Sequence, residues 1–360
     1  MAMNAAPRTV FFRCDGGGKV GLGHLMRCIT LARALRKSGV KRISFGSRLL
    51  DAIGPRIIRG AGFPVKIVPS HLEPEEEARW LRDVRTETQD DREAGFVIID
   101  SYEAGTEYYR IVGQRWTGVM AVHDFPTTEL PVNILLNQNV GADQRDYQTR
   151  PDTVRLLGTR YFLLRSEFLP TLRRRRHVES VARRLLVCMG GSDPLDVTGH
   201  IVDALHAMAG TPSPVRDARI IVGPAYARLS RLRRRCAGLP FRVRILQAVR
   251  DMVVHLRWAD FGIVSGGMTS YEGAATGLPM LVVATANNQR DIVLNLEGRG
   301  AALSLGWHAD LDPDKLIPLV TGLAGDVRAR KRLAATARTL VDGRGPARVV
   351  EAIIRWHRAH

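Results

Sequence analysis

A glycine-rich segment near the start of the chain holds a histidine in a position suited to acid–base chemistry. Read from Arg13 to Arg27 it is RCDGGGKVGLGHLMR, directly after an apolar run and directly before a helical pattern. Glycines let a backbone approach a ligand closely, and the free N–H groups of a helix start favour an anion or a polar sugar face. His24 at that entrance can act as a general base, because the positive helix end favours neutral imidazole.

Residues around His24 could assist it. Asp15 could orient the imidazole or bind a sugar, and Arg27, one turn later, could brace the loop or reach a phosphate. Gly21 and Gly23 would allow backbone contact with the ligand. Each also has a purely structural interpretation: an ordinary tight turn, a helix-start histidine bonded to a carbonyl, or a surface arginine.

A second glycine-rich loop, MGGSDP from position 189, again follows an apolar run and precedes a helical pattern. Gly190 and Gly191 would expose backbone N–H groups to a phosphate, and Ser192 adds a hydroxyl. Asp193 or Asp196 could cap the helix. A capped turn is the structural alternative.

A third loop, SGGMTS from position 265, repeats the arrangement with Ser265, Gly266 and Gly267. Glu272 falls within the first turns of the next helix, where its carboxylate could accept hydrogen bonds from both ribose hydroxyls or favour the helix start by its charge. Two such loops close together in sequence favour phosphate binding over two unrelated turns.

Amide side chains end the next strand, in the segment ATANNQ. Asn287, Asn288 and Gln289 suit sugar hydroxyls or a catalytic water, although a polar strand-end loop is the alternative. The sequence has no GxSxG elbow, P-loop lysine motif, HExxH motif or CxxC spacing, so no metal and no cofactor are expected. The chemistry would then come from His24 and its neighbours.

Strands that alternate with helices must position these loops. Helical periodicity is seen from Leu25 to Leu35, followed by Gly39 as a stop signal, and again over Val197 to Met208, Leu294 to Arg299 and Val327 to Leu340. The pattern predicts an α/β fold with mainly parallel sheets. The predicted strands are Thr9 to Phe12, Phe96 to Asp100, Val119 to His123, Leu185 to Met189, Arg219 to Val222, Phe261 to Val264 and Leu281 to Ala284.

The length of 360 residues predicts two domains, because a single core rarely grows so large. We assign 1–165 to an N-terminal Rossmann-like domain, 166–184 to a linker that contains a four-arginine run, and 185–360 to a C-terminal Rossmann-like domain. Two such domains would face each other across a cleft at the carboxyl ends of their strands, where α/β proteins bind ligands.

Composition narrows the class of protein. Four cysteines without disulfide-scaffold density indicate reduced thiols, and no apolar run approaches the ~20 residues of a membrane-spanning helix. Met1 to Arg8 carries no signal-peptide pattern, so we expect a cytoplasmic protein, and we expect a monomer.

The net charge of +17 raises the question of an anionic partner. Two arginine runs lie at Arg173 to Arg176 and between Arg228 and Arg235, but no aromatic residues interleave with them and no nucleic-acid motif is present. We interpret the runs as a solvated basic surface and expect no nucleic-acid partner. The charge is also compatible with weak peripheral contact with an anionic membrane or with a nucleotide substrate.

Taken in order, the loops resemble those of the PseG nucleotide-sugar hydrolases of pseudaminic acid biosynthesis. The segment GLGHLMRCITLARAL resembles their GxGHxxR helix entrance, and the likeness spans roughly residues 8–305. The combination is typical of the superfamily that also holds the MurG-like glycosyltransferases. Further matching segments are VIIDSYEAG, LLNQNVGAD, LLGTRYFLLRSEF, LLVCMGGSDPLDVT and VSGGMTSYEGAATGLPMLVVATANNQ.

This resemblance implies a GT-B architecture with UDP held mainly by the C-terminal half. It also implies metal-independent, inverting C–O cleavage of UDP-2,4-diacetamido-2,4,6-trideoxy-β-L-altrose. His24 matches the family's general base, which activates water, and Asp15 matches its loop aspartate. Asn288 and Gln289 match the amides on the sugar side. The UDP-binding loop and helix are matched by Ser265, Gly266, Gly267 and Glu272.

The chain departs from the family pattern mainly on the implied sugar side. The resemblance therefore supports UDP binding further than it supports one particular sugar. The departures are Gly16 to Gly18 in place of an aspartate and small polar residues, Ser101 in place of a histidine, Tyr271-Glu-Gly-Ala in place of Trp-Glu-Arg-Cys, and His123-Asp124-Phe125 in place of a paired aspartate.

Three other functions stay open on the sequence. A MurG-related UDP-sugar glycosyltransferase would use an acceptor hydroxyl in place of water. A nucleotide-sugar binding protein without turnover would keep the phosphate loops alone. A nucleic-acid binder would use the arginine excess, with affinity that falls steeply with salt.

Overall fold

The computed structural model describes residues 6–17, 21–50, 52–84, 95–126 and 129–360. Gly18, part of the first predicted loop, lies outside these ranges. The chain divides into two compact units: the first is Met1–Leu163 with Arg344–His360, and the second is Leu164–Gly343.

The first unit contains a parallel sheet. Its strands are β1 (Thr9–Cys14), β2 (Arg42–Arg48), β3 (Val65–Val68), β4 (Gly95–Asp100), β5 (Gly118–Val122), β6 (Ile134–Asn137) and β7 (Val154–Leu157). Its first helices are α1 (Gly23–Lys37), α2 (Ile53–Gly60), α3 (Pro74–Asp83) and α4 (Thr106–Gly113), with 3₁₀ turns Ala142–Gln144 and Thr159–Tyr161. The spatial order β3-β2-β1-β4-β5-β6-β7 reverses direction between β1 and β4, where α/β sheets bind ligands.

Successive residues of the central strands enter two different cores. Val10 and Phe12 pack on one side of the sheet with α1, whereas Phe11 packs on the other side with residues of α3 and α4. The alternation follows from the two-residue period of a strand, and burial on both faces explains why β1 is apolar throughout.

The second unit repeats the architecture. Its strands are β8 (Arg184–Cys188), β9 (Asp217–Val222), β10 (Arg242–Gln247), β11 (Phe261–Ser265), β12 (Met280–Ala284) and β13 (Leu303–Trp307), all parallel, in the order β10-β9-β8-β11-β12-β13. Its helices are α5 (Leu169–Leu172), α6 (Val197–Leu205), α7 (Leu229–Cys236), α8 (Met252–Trp258), α9 (Met268–Thr276), α10 (Asn287–Gly298), α11 (Pro313–Gly325) and α12 (Val327–Leu340). Short 3₁₀ turns occupy Ser166–Phe168, His206–Met208 and His308–Asp310.

The C-terminal helix α13 (Gly345–Ala359) belongs to the first unit, unlike the predicted division that placed it in the second domain. Trp356 packs edge-on against Phe96, with 5.8 Å between the ring centroids. A Cβ atom on Gly118 would lie 2.4 Å from Phe96 and 2.6 Å from Trp356, so this contact requires a glycine in β5. The apolar face of α13 thus completes the first core.

The predicted linker also belongs to a unit, namely the second. Arg330 donates to the carbonyls of Glu179 at 2.8 Å and Ser180 at 3.0 Å. Arg338 donates to the carbonyl of Leu172 at 2.7 Å. These non-local bonds from α12 fasten a segment whose own sequence carries little periodicity.

The seven predicted strands all form, and the predicted helices form as α1, α6, α10 and α12. The strands that the sequence did not predict include the edge strands β3 and β10, whose residues apart from Val68 are half-buried or exposed. In the described part of the chain no helix is long and apolar enough to cross a membrane.

Candidate functional site

The first cluster of polar residues lies where the sheet order of the first unit reverses. Cys14 at the end of β1 is in register with Asp100 at the end of β4. Helix α1 follows β1 and begins at Gly23, so His24 lies in its first turn at this edge of the sheet. The topology therefore brings His24 and Asp100 together although they are far apart in sequence.

His24 and Asp100 form a hydrogen-bonded pair. The His24 Nδ1 atom lies 2.6 Å from Asp100 Oδ1, and the imidazole is 13% exposed while the carboxylate is fully buried. An ionised carboxylate can only accept, so Nδ1 is the donor in this contact, and Nε2 is the ring nitrogen left for a substrate or water. This is the arrangement in which a third group orients a histidine base. The alternative of a helix-start histidine bonded to a carbonyl does not describe this contact.

Arg27 holds the same carboxylate from the other side. Its Nε lies 2.6 Å from Asp100 Oδ2 and its Nη2 lies 2.7 Å from Oδ1. Burial disfavours the ionised form of Asp100, but the charges of Arg27 and His24 outweigh it and hold the pKa of Asp100 far below its usual value. Arg27 is itself buried, so it braces the site and is not a surface arginine.

Asp124 extends the network toward β5 and β6. Its Oδ1 accepts from Arg27 Nη1 at 3.3 Å and from Asn139 Nδ2 at 2.9 Å, and its Oδ2 accepts from the Tyr102 hydroxyl. Asn137 donates to the Asp124 carbonyl at 3.1 Å. Burial opposes ionisation of Asp124, yet Arg27 keeps its pKa lowered. Two carboxylates therefore share one buried guanidinium.

Aromatic rings line one side of this cluster. The Tyr102 ring lies edge-on to His24, with 4.8 Å between centroids, and 5.2 Å from the Phe125 ring. Tyr102 is 40% exposed, so part of an aromatic side chain whose hydroxyl is bound to Asp124 reaches the surface beside the imidazole. Such surfaces suit the apolar face of a sugar or of another acceptor.

His123 is a buried histidine without hydrogen bonds. It is 2% exposed, and neither ring nitrogen has a partner among the described residues. Burial lowers its pKa; Asp124 and Asp100 oppose that effect and Arg27 adds to it. The ring is therefore neutral at pH 7, and it packs between Tyr102 and Phe125 at centroid distances of 6.3 and 6.2 Å.

The lowered pKa of His123 predicts a pH-dependent loss of stability. Below the usual histidine pKa of ~6.5 the unfolded chain binds a proton that the folded chain does not, so the free energy of unfolding falls as pH falls. We expect His123→Phe to flatten this dependence between about pH 6.5 and 5, measured by urea unfolding at several pH values.

The control for this measurement is His71→Phe, because His71 is exposed. Other histidines with lowered pKa values, among them His255 and His308, are present in all three proteins, so they cancel in the difference. Equal pH slopes for the parent chain and His123→Phe would contradict the assignment.

Asp15 occupies a different network from His24. Its carboxylate accepts from Arg13 Nη2 and from the Arg48 backbone N–H, both at 2.8 Å. Arg13 and Arg48 also bind Glu77, whose pKa is lowered by Arg13 despite its burial. Asp100, not Asp15, therefore orients the imidazole, and Asp15 fixes the backbone at the ends of β1 and β2.

Three glycines of the first loop, Gly17, Gly21 and Gly23, form a backbone turn and the start of α1. Gly17 and Gly21 exchange backbone hydrogen bonds at 2.9 and 3.1 Å, and Gly21 has a φ of +84°. Gly23 is the first residue of α1, and no side chain caps that helix end in the described structure. The free first-turn N–H groups predicted for ligand contact are thus available beside His24.

In the second unit, the loop after β8 contains two aspartates, Asp193 and Asp196, whose side chains form hydrogen bonds with neighbouring elements. Asp193 accepts from the backbone N–H groups of Val197 and Thr198, each at 2.8 Å, and so caps α6 as predicted. The Asp196 side chain instead binds Tyr226 and Arg235. Ser192 is buried.

Gly190 in this loop, and Gly223 next to the loop, are required by geometry. Gly190 has a φ of +94°, a conformation that favours glycine, and a Cβ there would lie 3.7 Å from Ser265 Oγ. The carbonyl of Gly191 lies so close to Gly223 that a Cβ on Gly223 would be 1.9 Å from the oxygen. The second and third predicted loops therefore meet at the carboxyl edge of the sheet.

The third loop differs in one respect from the prediction. The Gly266 N–H donates to the Val283 carbonyl at 2.9 Å, so it continues the sheet and does not point to a ligand. Gly267 is the N-cap of α9, and no described side chain caps that helix. The anion-binding character of the loop thus depends on Gly267 and the helix start.

Glu272 is already engaged by an arginine. Its Oε1 lies 2.7 Å from Arg165 Nε, and burial raises its pKa while the Arg165 charge opposes this. The carboxylate is 5% exposed. A ribose would have to share the carboxylate with Arg165, which the sequence reading did not foresee.

The amide segment after β12 begins a helix and is not a loop. Asn287 is the first residue of α10, with Asn288 next. Gln289 accepts from the backbone N–H and the hydroxyl of Thr285, both at 3.0 Å, and a Cβ on Gly267 would lie 3.5 Å from Gln289 Nε2. These amides therefore adjoin the third glycine loop.

Sequence reasoning missed Asp100, Tyr102 and Asp124 as members of the site. Asp100 ended a predicted strand next to the strand that leads to His24, and that adjacency was the available signal. Tyr102 and Asp124 follow the ends of β4 and β5, at the same edge of the sheet.

Comparison with known proteins gives two curated relatives and no matching family model. The spore coat polysaccharide biosynthesis protein SpsG of Bacillus subtilis is 30% identical over 169 residues, which cover 46% of this chain and 48% of that protein. The uncharacterized protein MJ1062 of Methanocaldococcus jannaschii is 24% identical over 290 residues, covering 77% of this chain and 56% of that protein. The chain spans about half the length of these relatives.

Solved structures resemble the chain over nearly its full length. Acinetobacter baumannii MurG has a TM-score of 0.62 at 16% identity and covers 97% of this chain and 100% of its own. Staphylococcus aureus MnaA, solved with UDP, has a TM-score of 0.64 at 12% identity and covers 96% of each chain. With two parallel Rossmann-like sheets and these neighbours, the chain has the GT-B fold.

Proposed function

We propose that the chain is a UDP-sugar hydrolase in which His24 is the general base. The observation that carries the proposal is the His24–Asp100 pair, which orients the imidazole through Nδ1 beside a partly exposed aromatic ring. Burial of Asp100 against Arg27 keeps the carboxylate ionised, so it can stabilise the imidazolium that forms during the reaction.

The proposed reaction begins with water near His24 Nε2. Nε2 takes a proton from the water as the oxygen forms a bond to the anomeric carbon on the face opposite the leaving group. The bond between the anomeric carbon and the phosphate oxygen breaks, and its electron pair leaves with UDP. The configuration inverts, and no metal takes part in this scheme.

The second unit supplies the proposed UDP site. Gly190, Ser265 and Gly267 meet at one sheet edge, and the uncapped start of α9 offers N–H groups to a diphosphate. The similarity of the fold to MnaA, which was solved with UDP, supports this assignment. We assign Asn287, Asn288 and Gln289 to the sugar side.

The proposed substrate is a UDP-2,4-diacetamido-2,4,6-trideoxy hexose, and the proposed pathway is the synthesis of a pseudaminic-acid-type nonulosonate. The resemblance of the loops to the PseG hydrolases supports this choice, and the local similarity to SpsG, named for polysaccharide biosynthesis, fits a role in surface sugars. We propose that the protein acts as a cytoplasmic monomer.

A glycosyltransferase related to MurG is the second candidate. The similarity to A. baumannii MurG over 97% of the chain and the exposed Tyr102 ring beside His24 favour it. The same base would then remove the proton from an acceptor hydroxyl, and the sugar would move to that acceptor.

One experiment separates these functions. The chain is incubated with a panel of UDP-diacetamido sugars in ¹⁸O-labelled water, and products are followed by NMR and mass spectrometry. We expect free sugar of inverted anomeric configuration with the label on the sugar and unlabelled UDP. Label in UDP would contradict C–O cleavage. UDP release that depends on an added acceptor would favour the transferase, and UDP binding without turnover would favour a binding protein.

A further inference from the structure

A cavity of about 150 Å³ in the second unit has a strongly basic lining. It lies in the segment predicted as a linker and against the ends of α8 and α9, and it involves none of the glycine-rich loops. At ~10–15 Å³ for each water, it has room for roughly ten waters or for one compact anion. Its lining residues are Thr171, Arg174, Arg175, Arg176, His177, Glu179, Arg184, Arg257 and Thr276.

Arg176 forms the inner wall of this cavity and is bonded only to neutral groups. Its guanidinium donates to the carbonyls of Ala259 at 2.5 Å, Thr276 at 3.2 Å and Leu256. These carbonyls end two helices, α8 and α9, so the bonds fasten the segment to both helix ends. No carboxylate is bonded to this charge in the described structure.

Three further arginines of the lining add positive charge that no carboxylate of the described residues pairs with. Arg174, Arg175 and Arg257 are exposed, and their side chains have no ion-pair partner among the described residues. The pKa of Arg176 is lowered to about 10, chiefly by burial; Asp260 opposes this shift, and repulsion from Arg257 and Arg184 adds to it. The positive charges of these arginines are therefore close enough to repel one another.

Acidic groups neutralise only part of this charge. Arg184 pairs with Asp260 at 2.6 Å, and Glu179 lies 3.9 Å from Arg184 and 3.5 Å from His177. Glu179 is the one carboxylate among the lining residues that the structure describes. Three arginines and Arg176 remain without a negative partner there.

This arrangement differs from the solvated basic surface expected from the four-arginine run. A solvated face would leave all four guanidinium groups in water, whereas Arg176 is half-buried and three neighbours surround a concave space. A nucleic-acid strand would need aromatic rings for stacking, and the lining has none. A small ligand with several negative charges fits both the size and the chemistry.

We propose that this cavity binds a compact, multiply charged phosphoryl group. Arg175 and Arg257 would contact the ligand from the rim, while Arg176 supplies charge from the wall. The group could belong to a soluble phosphate monoester or to the head group of phosphatidic acid, and both present the same doubly charged phosphoryl oxygens.

Inorganic pyrophosphate is the probe for the first test, titrated calorimetrically into the full-length chain. The double variant Arg175→Ala/Arg257→Ala should weaken binding at least about tenfold for each arginine, because each loses a hydrogen bond to a charged group. Both side chains are exposed and without partners, so the thermal unfolding midpoint should stay unchanged.

Arg173→Ala is the matched control, since Arg173 belongs to the same run and is exposed but does not line the cavity. It should leave pyrophosphate affinity unchanged. An equal loss in Arg173→Ala and in each cavity variant would indicate a diffuse positive surface and would overturn the proposal. So would unchanged affinity in the double variant.

Sedimentation with phosphatidylcholine vesicles, with and without phosphatidic acid, distinguishes the two sources. If the ligand is a lipid head group, the parent chain sediments with the acidic vesicles and the double variant does not. If it is a soluble phosphate ester, pyrophosphate binding is lost in the double variant while vesicle binding is the same for both proteins. Either result supports the cavity, provided the pyrophosphate test succeeds.

Discussion

His24→Ala is expected to lower the rate of UDP release about 10²- to 10⁴-fold, the usual contribution of a general base. The reason is the contact with Asp100, which fixes the ring and leaves Nε2 as the acceptor for a proton from water. The rate constants kcat and kcat/KM should fall together, because a base acts in the transition state and adds little to substrate binding. Stopped assays of UDP release with the panel of UDP-diacetamido sugars measure this.

A matched histidine variant shows whether this loss is specific to His24. The control is His71→Ala, which removes an exposed histidine from the same unit. If UDP release survives at the parent rate in His24→Ala, the histidine has no part in the mechanism.

Asp100→Asn should impair both activity and stability. The neutral amide has one accepting oxygen in place of two, so it cannot accept from His24 Nδ1–H and from both Arg27 nitrogens. Its NH2 group faces donors, and Arg27 keeps only Asp124, at 3.3 Å, as an anionic partner. Removing one partner of a buried ion pair lowers the free energy of unfolding by about 3–5 kcal/mol. We expect a loss of activity of about 10²-fold or more in the fraction that stays folded. Urea unfolding and UDP release measure the two effects.

Glu103→Gln is the matched control for the loss of a carboxylate charge. Glu103 pairs with Arg48 at 2.7 Å but is 60% exposed, so we expect a change of about 0–1 kcal/mol. Comparable destabilisation by the two substitutions would mean that the Asp100–Arg27 pair is not the anchor of the site.

The sequence predicted the elements better than the contacts between them. The strand from Phe96 to Asp100 was predicted from its apolar pattern, and so was the helix that carries His24. What the pattern did not give was the side-by-side pairing of β1 and β4, which is set by topology rather than by local propensity. That pairing is what places Asp100, and not the nearer Asp15, beside the imidazole.

Charged residues were the hardest to place from sequence. Arg27 and Arg176 resemble surface arginines by composition, yet Arg27 is buried and Arg176 half-buried, each bonded to a partner more than 70 residues away. Because arginine side chains are usually exposed, the sequence alone predicts a surface position for both residues. Only their hydrogen bonds to residues distant in sequence show otherwise. Gly266 shows the converse case, because a glycine that matched a phosphate loop uses its N–H to continue the sheet.

The order in which the chain contributes residues to the two units affects how the protein folds during synthesis. Ile353 and Trp356 belong to the core of the first unit, although the 180 residues of the second unit precede them in the order of synthesis. During synthesis on the ribosome, the sheet of the first unit keeps part of one apolar face exposed while the second unit emerges and folds. The core of the first unit is therefore completed only after the second unit has been synthesised.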